Sequence, residues 1–168
     1  MTFNDLKKGD SIFIDANIFV YNFGAQSAEC KDLLLKCARG ELVGYTLTSI
    51  LSEVLHRLMI AEAIENGYIT DKNPVKKLKE NPEIIKKLTI YINNVEKIME
   101  MNINVVTLTT ELIKKSSHIR QTEGLLTNDS IVVAAIKNLG LSNLATNDTD
   151  FDRIQWLSVY KPSDLQTI

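Results

Sequence analysis

Two hydrophobic rhythms alternate along this chain. Short apolar runs stand at 11–15 (SIFID), 42–46, 104–108, 143–146 and 157–160. Their length and their β-branched and aromatic content predict strands, the first of them buried. Between the runs, apolar residues recur every three or four positions. Leu33, Leu34, Leu35 and Ala38 predict a helix over 25–39 that stops at Gly40. Ile50, Val54, Leu58 and Leu51, Leu55, Met59 form two adjacent rows on a second helix, with Thr48 or Ser49 as its cap. A helix over 82–101 carries Ile85, Leu88, Ile92, Val95, Ile98 and Met99 on one side, and Pro74 and Pro82 suit helix first turns. Another helix is expected over 110–121. The apolar segment 131–139 predicts one more, capped by Thr127 or Asn128 and closed by Gly140.

Strands alternating with helices imply an α/β fold with a mainly parallel sheet covered on both faces. Gly67 and the stretch from Thr70 to Pro74 interrupt the pattern, and a lysine-rich segment follows. Residues 67–101 contain too few alternating strands for a core of their own, so they read as a helical elaboration. The expectation is one domain spanning 1–168.

Composition changes this picture little. The apolar fraction is 45%, typical of a globular protein, and the formal net charge is only -2, so global charge does not announce a nucleic-acid binder. The N-terminal MTFNDLKKGD lacks an apolar signal region, and no stretch is long enough to cross a membrane. A cytoplasmic location is expected. Cys30 and Cys37 read as buried reduced thiols, and His56 and His118 have no partner at zinc-site spacing.

The acidic residues carry the chemistry. Asp15 closes the first strand, Glu53 lies early in the second helix, Asp129 opens an apolar helix, and Asp148 follows the fourth strand. In a parallel sheet such positions share one edge, the edge at which α/β folds bind ligands. Each also has a local explanation, as a helix N-terminal charge or an Asx turn. Together they form a cluster in which two carboxylates about 4 Å apart repel by roughly 4 kcal/mol at an effective dielectric near 20. A hard divalent cation, Mg²⁺ or Mn²⁺, relieves that repulsion and suits an all-oxygen ligand set. Water activated by such an ion attacks phosphodiesters without a nucleophilic side chain.

The segments IFIDANIFVY, SEVLHR, LLTNDSIVVAAI and LATNDTDFDRI, in that order, resemble the PIN-domain nucleases, in particular the VapC-like toxin ribonucleases and their archaeal relatives. The resemblance runs from about Ser11 to Tyr160. It implies a PIN-like three-layer α/β/α fold and an endoribonuclease cleaving single-stranded RNA with one or two Mg²⁺ or Mn²⁺ ions. Carried over position by position, it implies Asp15, Glu53, Asp129 and Asp148 as the catalytic, metal-binding acids. Asp150 is an alternative to Asp148, and Asp152 a weaker one. Asn17, Arg57 and Asn147 are candidate substrate contacts, with Asn17 alternatively orienting Asp15 and Arg57 pairing with a carboxylate. Tyr21 and Phe23 are candidates for base stacking, Phe23 more naturally for the core. The family's habits further imply a homodimer and a small antitoxin whose C-terminal segment covers the acidic groove. The helical elaboration exceeds the minimal toxin pattern. Two other readings stay open: a catalytically silent PIN-like module that binds RNA or protein, and a phosphatase using Asp15 as nucleophile. Asn17 weighs against the phosphatase, since a second acid is expected there. The lack of a Gly-rich loop after the first strand weighs against a dinucleotide-binding enzyme.

Overall fold

The computed structural model describes residues 1–70 and 72–165. Asp71, within the break expected between Thr70 and Pro74, lies outside the described residues, as does the last stretch of the expected domain span, 166–168.

Strands β1 (Ser11–Ile14), β2 (Val43–Leu47), β3 (Asn104–Val106), β4 (Asn143–Ala145) and β5 (Ser158–Tyr160) form a parallel sheet in the order β3-β2-β1-β4-β5. Ile12, Phe13 and Ile14 are all fully buried, because β1 is the central strand and both its faces are covered. Helices α1 (Ala16–Phe23) and α2 (Ala28–Ala38) link β1 to β2. Helices α3 (Thr48–Glu65), α4 (Pro74–Glu80), α5 (Pro82–Ile85) and α6 (Ile90–Glu100) link β2 to β3. Helices α7 (Thr110–Glu123) and α8 (Thr127–Asn138) link β3 to β4. From β1 the chain steps outward to β2 and β3, then returns across β1 to β4. Right-handed crossovers therefore put α1–α6 on one face of the sheet and α7 and α8 on the other. The reversal makes the gap between β1 and β4 the topological switch point.

The continuous apolar run of α8 has a simple cause. Every residue from Ser130 to Ile136 is buried, so this helix has almost no solvent face. The expected elaboration at 67–101 is helical, and it adds a small satellite core of Ala63, Ile69, Leu78 and Leu88 beside the main one. Among the described residues, no helix is long and apolar enough to cross a membrane.

Four local expectations need correction. First, a separate helix, α1, occupies 16–23, and the helix expected over 25–39 begins only at Ala28, capped by Ser27, whose hydroxyl accepts from the Cys30 N–H. Second, neither Thr48 nor Ser49 caps α3. Thr48 is already helical, and its hydroxyl accepts from the Leu108 backbone N–H at 3.0 Å, tying α3 to the end of β3. Third, neither Thr127 nor Asn128 caps α8, because the helix begins a turn earlier and Leu126 is its N-cap. Fourth, the helix expected over 82–101 is two helices. The buried carboxylate of Glu62 accepts from the N–H groups of Thr89, Ile90 and Tyr91 at 2.9, 3.1 and 2.8 Å. These are orphan donors of a helix start, so a charge from α3 fixes where α6 begins. Ile92 and Met99 consequently face solvent while Val95 and Ile98 are buried.

Candidate active site

Asp15 follows β1 directly and is the N-cap of α1. One of its oxygens accepts from the Ala16 N–H at 2.7 Å. The other accepts from the Asn17 amide at 2.8 Å and the Thr146 hydroxyl at 2.7 Å. Thr146 is fully buried at the end of β4. Its oxygen also accepts from Asn17 Nδ2 at 2.9 Å and from the Asp148 N–H at 3.1 Å. One hydroxyl therefore joins the two strand ends at the switch point and carries the order of Asp15 across to the Asp148 loop. Asp148 caps the 3₁₀ turn Thr149–Arg153 by accepting from the Asp150 N–H at 2.9 Å.

Asp15, Glu53 from α3 and Asp129 from the first turn of α8 line a single cleft of about 750 Å³. Its remaining wall includes Ser49, Ser52, His56, Thr127 and Asn128, with Ile50, Leu126 and Val132 as apolar lining. Asp148 is not on that wall, yet its charge is felt by both Asp15 and Asp129. Burial, above all, holds the Asp15 carboxyl above its usual range. The Thr146 and Ala16 hydrogen bonds pull it back, while Glu53 and Asp148 push it further up. Asp129 is pushed up to about 6, first by burial and then by Asp148, Asp15, Asp150 and Glu53. The four acids thus share one electrostatic site although they come from four separate stretches of chain.

The other candidates divide. Asn17 holds Asp15, and its side-chain oxygen accepts from the Asn147 N–H at 3.2 Å. The Asn147 amide reaches the Tyr21 hydroxyl at 3.4 Å, and Phe23 packs against the main core. Arg57 lies 3.5 Å from Glu53, a long and half-exposed pair worth little in stability. Arg153 pairs with Asp150 at 2.9 Å, and Lys161 with Asp152 at 2.6 Å, which draws both alternative acids toward surface pairs. Thr46 donates to the Ile14 carbonyl at 3.0 Å as a buried strand-end residue.

Sequence reasoning passed over the bridging role of Thr146 and the places of His56 and Leu126 in the cleft. For Thr146 a signal existed: a polar residue directly after the apolar run that becomes the neighbour of β1. His56 follows Glu53 by three residues, which puts both on one side of α3. Nothing local marks Leu126.

The donor set suits a hard divalent cation, since the four acids offer carboxylate oxygens only, and burial first, then the acidic neighbours, raise the proton affinity of Asp15 and Asp129. Among the described residues, however, no three His, Cys, Asp or Glu side chains stand close enough to enclose an ion by themselves.

Comparison with known proteins agrees with this architecture. The family model described as "PIN domain" matches residues 12–157. Ribonuclease VapC2 of Methanocaldococcus jannaschii is 27% identical over 154 residues, covering 89% of this chain and 93% of that protein. Among solved structures, a toxin-antitoxin complex from Klebsiella pneumoniae superposes with a TM-score of 0.54 at 16% identity, covering 88% of this chain and 95% of that one. VapBC2 from Rickettsia felis, bound to a DNA fragment from its promoter, gives 0.57 at 13% identity, covering 91% and 99%. At such identities these two speak for the fold alone.

Proposed function

The chain belongs to the PIN-domain family, and on that premise we propose that it is a Mg²⁺- or Mn²⁺-dependent endoribonuclease acting on single-stranded RNA in the cytoplasm. One observation carries the reading. Carboxylates from the end of β1, from α3 and from α8 line one cleft outside the carboxyl ends of the strands, at the switch point, where burial and the neighbouring acids raise the proton affinity of Asp15 and Asp129. Asp15 and Asp129 would hold the ion, with Glu53 and Asp148 completing its surroundings. A divalent cation bound there supplies a more acidic water and a positive charge opposite the phosphate. The protein's own contribution is to orient Asp15, through the Thr146 and Ala16 bonds and the Asn17 amide, with the first two favouring its charged form against the pull of burial. Arg57 is held so weakly by Glu53 that its guanidinium is available to an incoming phosphate. The Asn17 amide is occupied with Asp15 and Thr146, and the Asn147 amide with the Tyr21 hydroxyl, so both brace the switch point.

A second reading, a catalytically silent module that binds RNA or protein, draws on the lack of a ready three-ligand cage among the described residues. Mg²⁺ counters this, because it keeps several waters and needs only one or two direct carboxylates. We further propose, from likeness to the named VapC2 ribonuclease and to the Klebsiella complex, that the chain is a toxin with a small protein antitoxin covering the cleft.

Purified protein incubated with mixed single-stranded RNA in Mg²⁺, Mn²⁺ or EDTA, beside Asp15→Asn and Asp129→Asn, tests the enzyme. Cleavage that needs metal and vanishes in both variants is expected. Tight RNA binding without cleavage under either metal would replace the enzyme with the silent module.

A further inference from the structure

Two side chains of the cleft are left without a task by the carboxylate chemistry. Leu126 is 74% exposed, the highest value among the large apolar side chains of the described residues. Gly124 ends α7 in the left-handed conformation at φ +67°, so only Leu125 and Leu126 separate α7 and α8 beyond it. Leu125 is buried, and the short connection fixes Leu126 three residues ahead of Asp129. Leaving a leucine in water forgoes the gain of burying it. From α3, the exposed His56 lines the same cleft. Its imidazole has no hydrogen-bond or ion-pair partner among the described residues.

Resting on the ribonuclease reading above, we propose that His56 and Leu126 form a nucleobase seat. The base next to the scissile phosphodiester lies against the imidazole and the Leu126 side chain while its phosphate reaches Asp15 and Asp129. Unpaired bases stack on aromatic side chains, histidine included, and extruded bases are held between aromatic and apolar side chains. A neutral imidazole also offers one donor and one acceptor to a base edge. The cleft volume lies in the range of small-molecule sites, so it takes a nucleotide rather than a duplex. A paired base stays inside its stack and cannot enter, so the seat itself selects single strands.

The test separates this proposal from the nuclease reading. A short single-stranded RNA carrying one 2-aminopurine is titrated with full-length protein in Ca²⁺, a hard cation that offsets the carboxylate charge, and its emission reports stacking while a gel checks that the RNA stays intact. The same RNA, and a copy with an abasic nucleotide in place of the 2-aminopurine, are then digested in Mg²⁺ and Mn²⁺. Quenching is expected with wild type. Leu126→Ala and His56→Ala should each bind the base-bearing RNA about tenfold more weakly, inside the span of base stacking, while His56→Phe stays near wild type. On the abasic RNA the loss in each alanine variant should be smaller than on the base-bearing RNA, and an equal loss on both overturns the seat. Both residues are exposed, and matching melting temperatures check that the variants fold. No quenching with wild type, or alanine variants that bind as wild type does, overturns the seat. Normal quenching with no cleavage in either metal leaves the seat standing and removes the nuclease.

Discussion

Asp129→Asn should stabilise the metal-free protein at neutral pH and gain less at acid pH. The folded state raises the Asp129 carboxyl from 3.8 to about 6, so it binds the proton more tightly than the unfolded chain does. Stability is therefore undiminished below about pH 4 and falls as pH rises through about 6. At 1.36 kcal/mol per unit the ceiling is about 3 kcal/mol. Asp129 is only half-buried, and solvent screening cuts this to on the order of 1 kcal/mol. Asparagine does not titrate, so the difference between variant and wild type isolates the charge. In EDTA at low salt, the melting-temperature advantage of Asp129→Asn should grow by about 2–4 °C from pH 4 to pH 7.5. Adding Mg²⁺ or Mn²⁺ should raise the wild type at pH 7.5 and raise the variant less, because only the native cluster gains from the ion. The helix N-terminus acts in the opposite sense, favouring the charged form by about 0.3–1 kcal/mol. An advantage that is constant with pH, or largest at acid pH, would refute the claim that burial and the neighbouring acids together disfavour the Asp129 charge.

Three other outcomes follow from the geometry. Glu62→Ala removes the acceptor of three N–H groups at the start of α6 and should cost about 3 kcal/mol in urea denaturation, with Glu62→Gln costing less; a loss under about 1 kcal/mol would sink that account. Thr146→Val removes the hydrogen bond that lowers the Asp15 pKa, so the acid limb of kcat/KM against pH should move to higher pH, with about tenfold less activity on that limb; an unmoved limb would show that Thr146 does not position Asp15. Burial pushes the Cys30 and Cys37 thiols up to about 11 and about 12, so both should resist alkylation at neutral pH until the protein unfolds, and rapid labelling of native protein would contradict their placement.

The hydrophobic rhythm determined the class of this fold, because the central strands and the buried helix α8 write their surroundings directly into their periodicity. Ile12, Phe13 and Ile14 need two covered faces, and the run from Ile131 to Ile136 needs a helix with almost no solvent side. Position relative to those runs also marked the four acids as candidates, since residues that follow parallel strands reach a common edge. Element boundaries were a different matter. Thr48 bonds to Leu108, and Glu62 starts α6 from 27 residues away, so the groups that decide those ends are distant in sequence and no local window contains them. The same holds within the site. Thr146 joins Asp15 across 131 residues, and Leu126 and His56 share a cleft only because α8 and α3, from opposite faces of the sheet, meet at the switch point. Short-range pattern fixes what each segment must bury, whereas the identity of the partner that satisfies a cap, a carboxylate or an exposed leucine is settled only when distant segments close on one another.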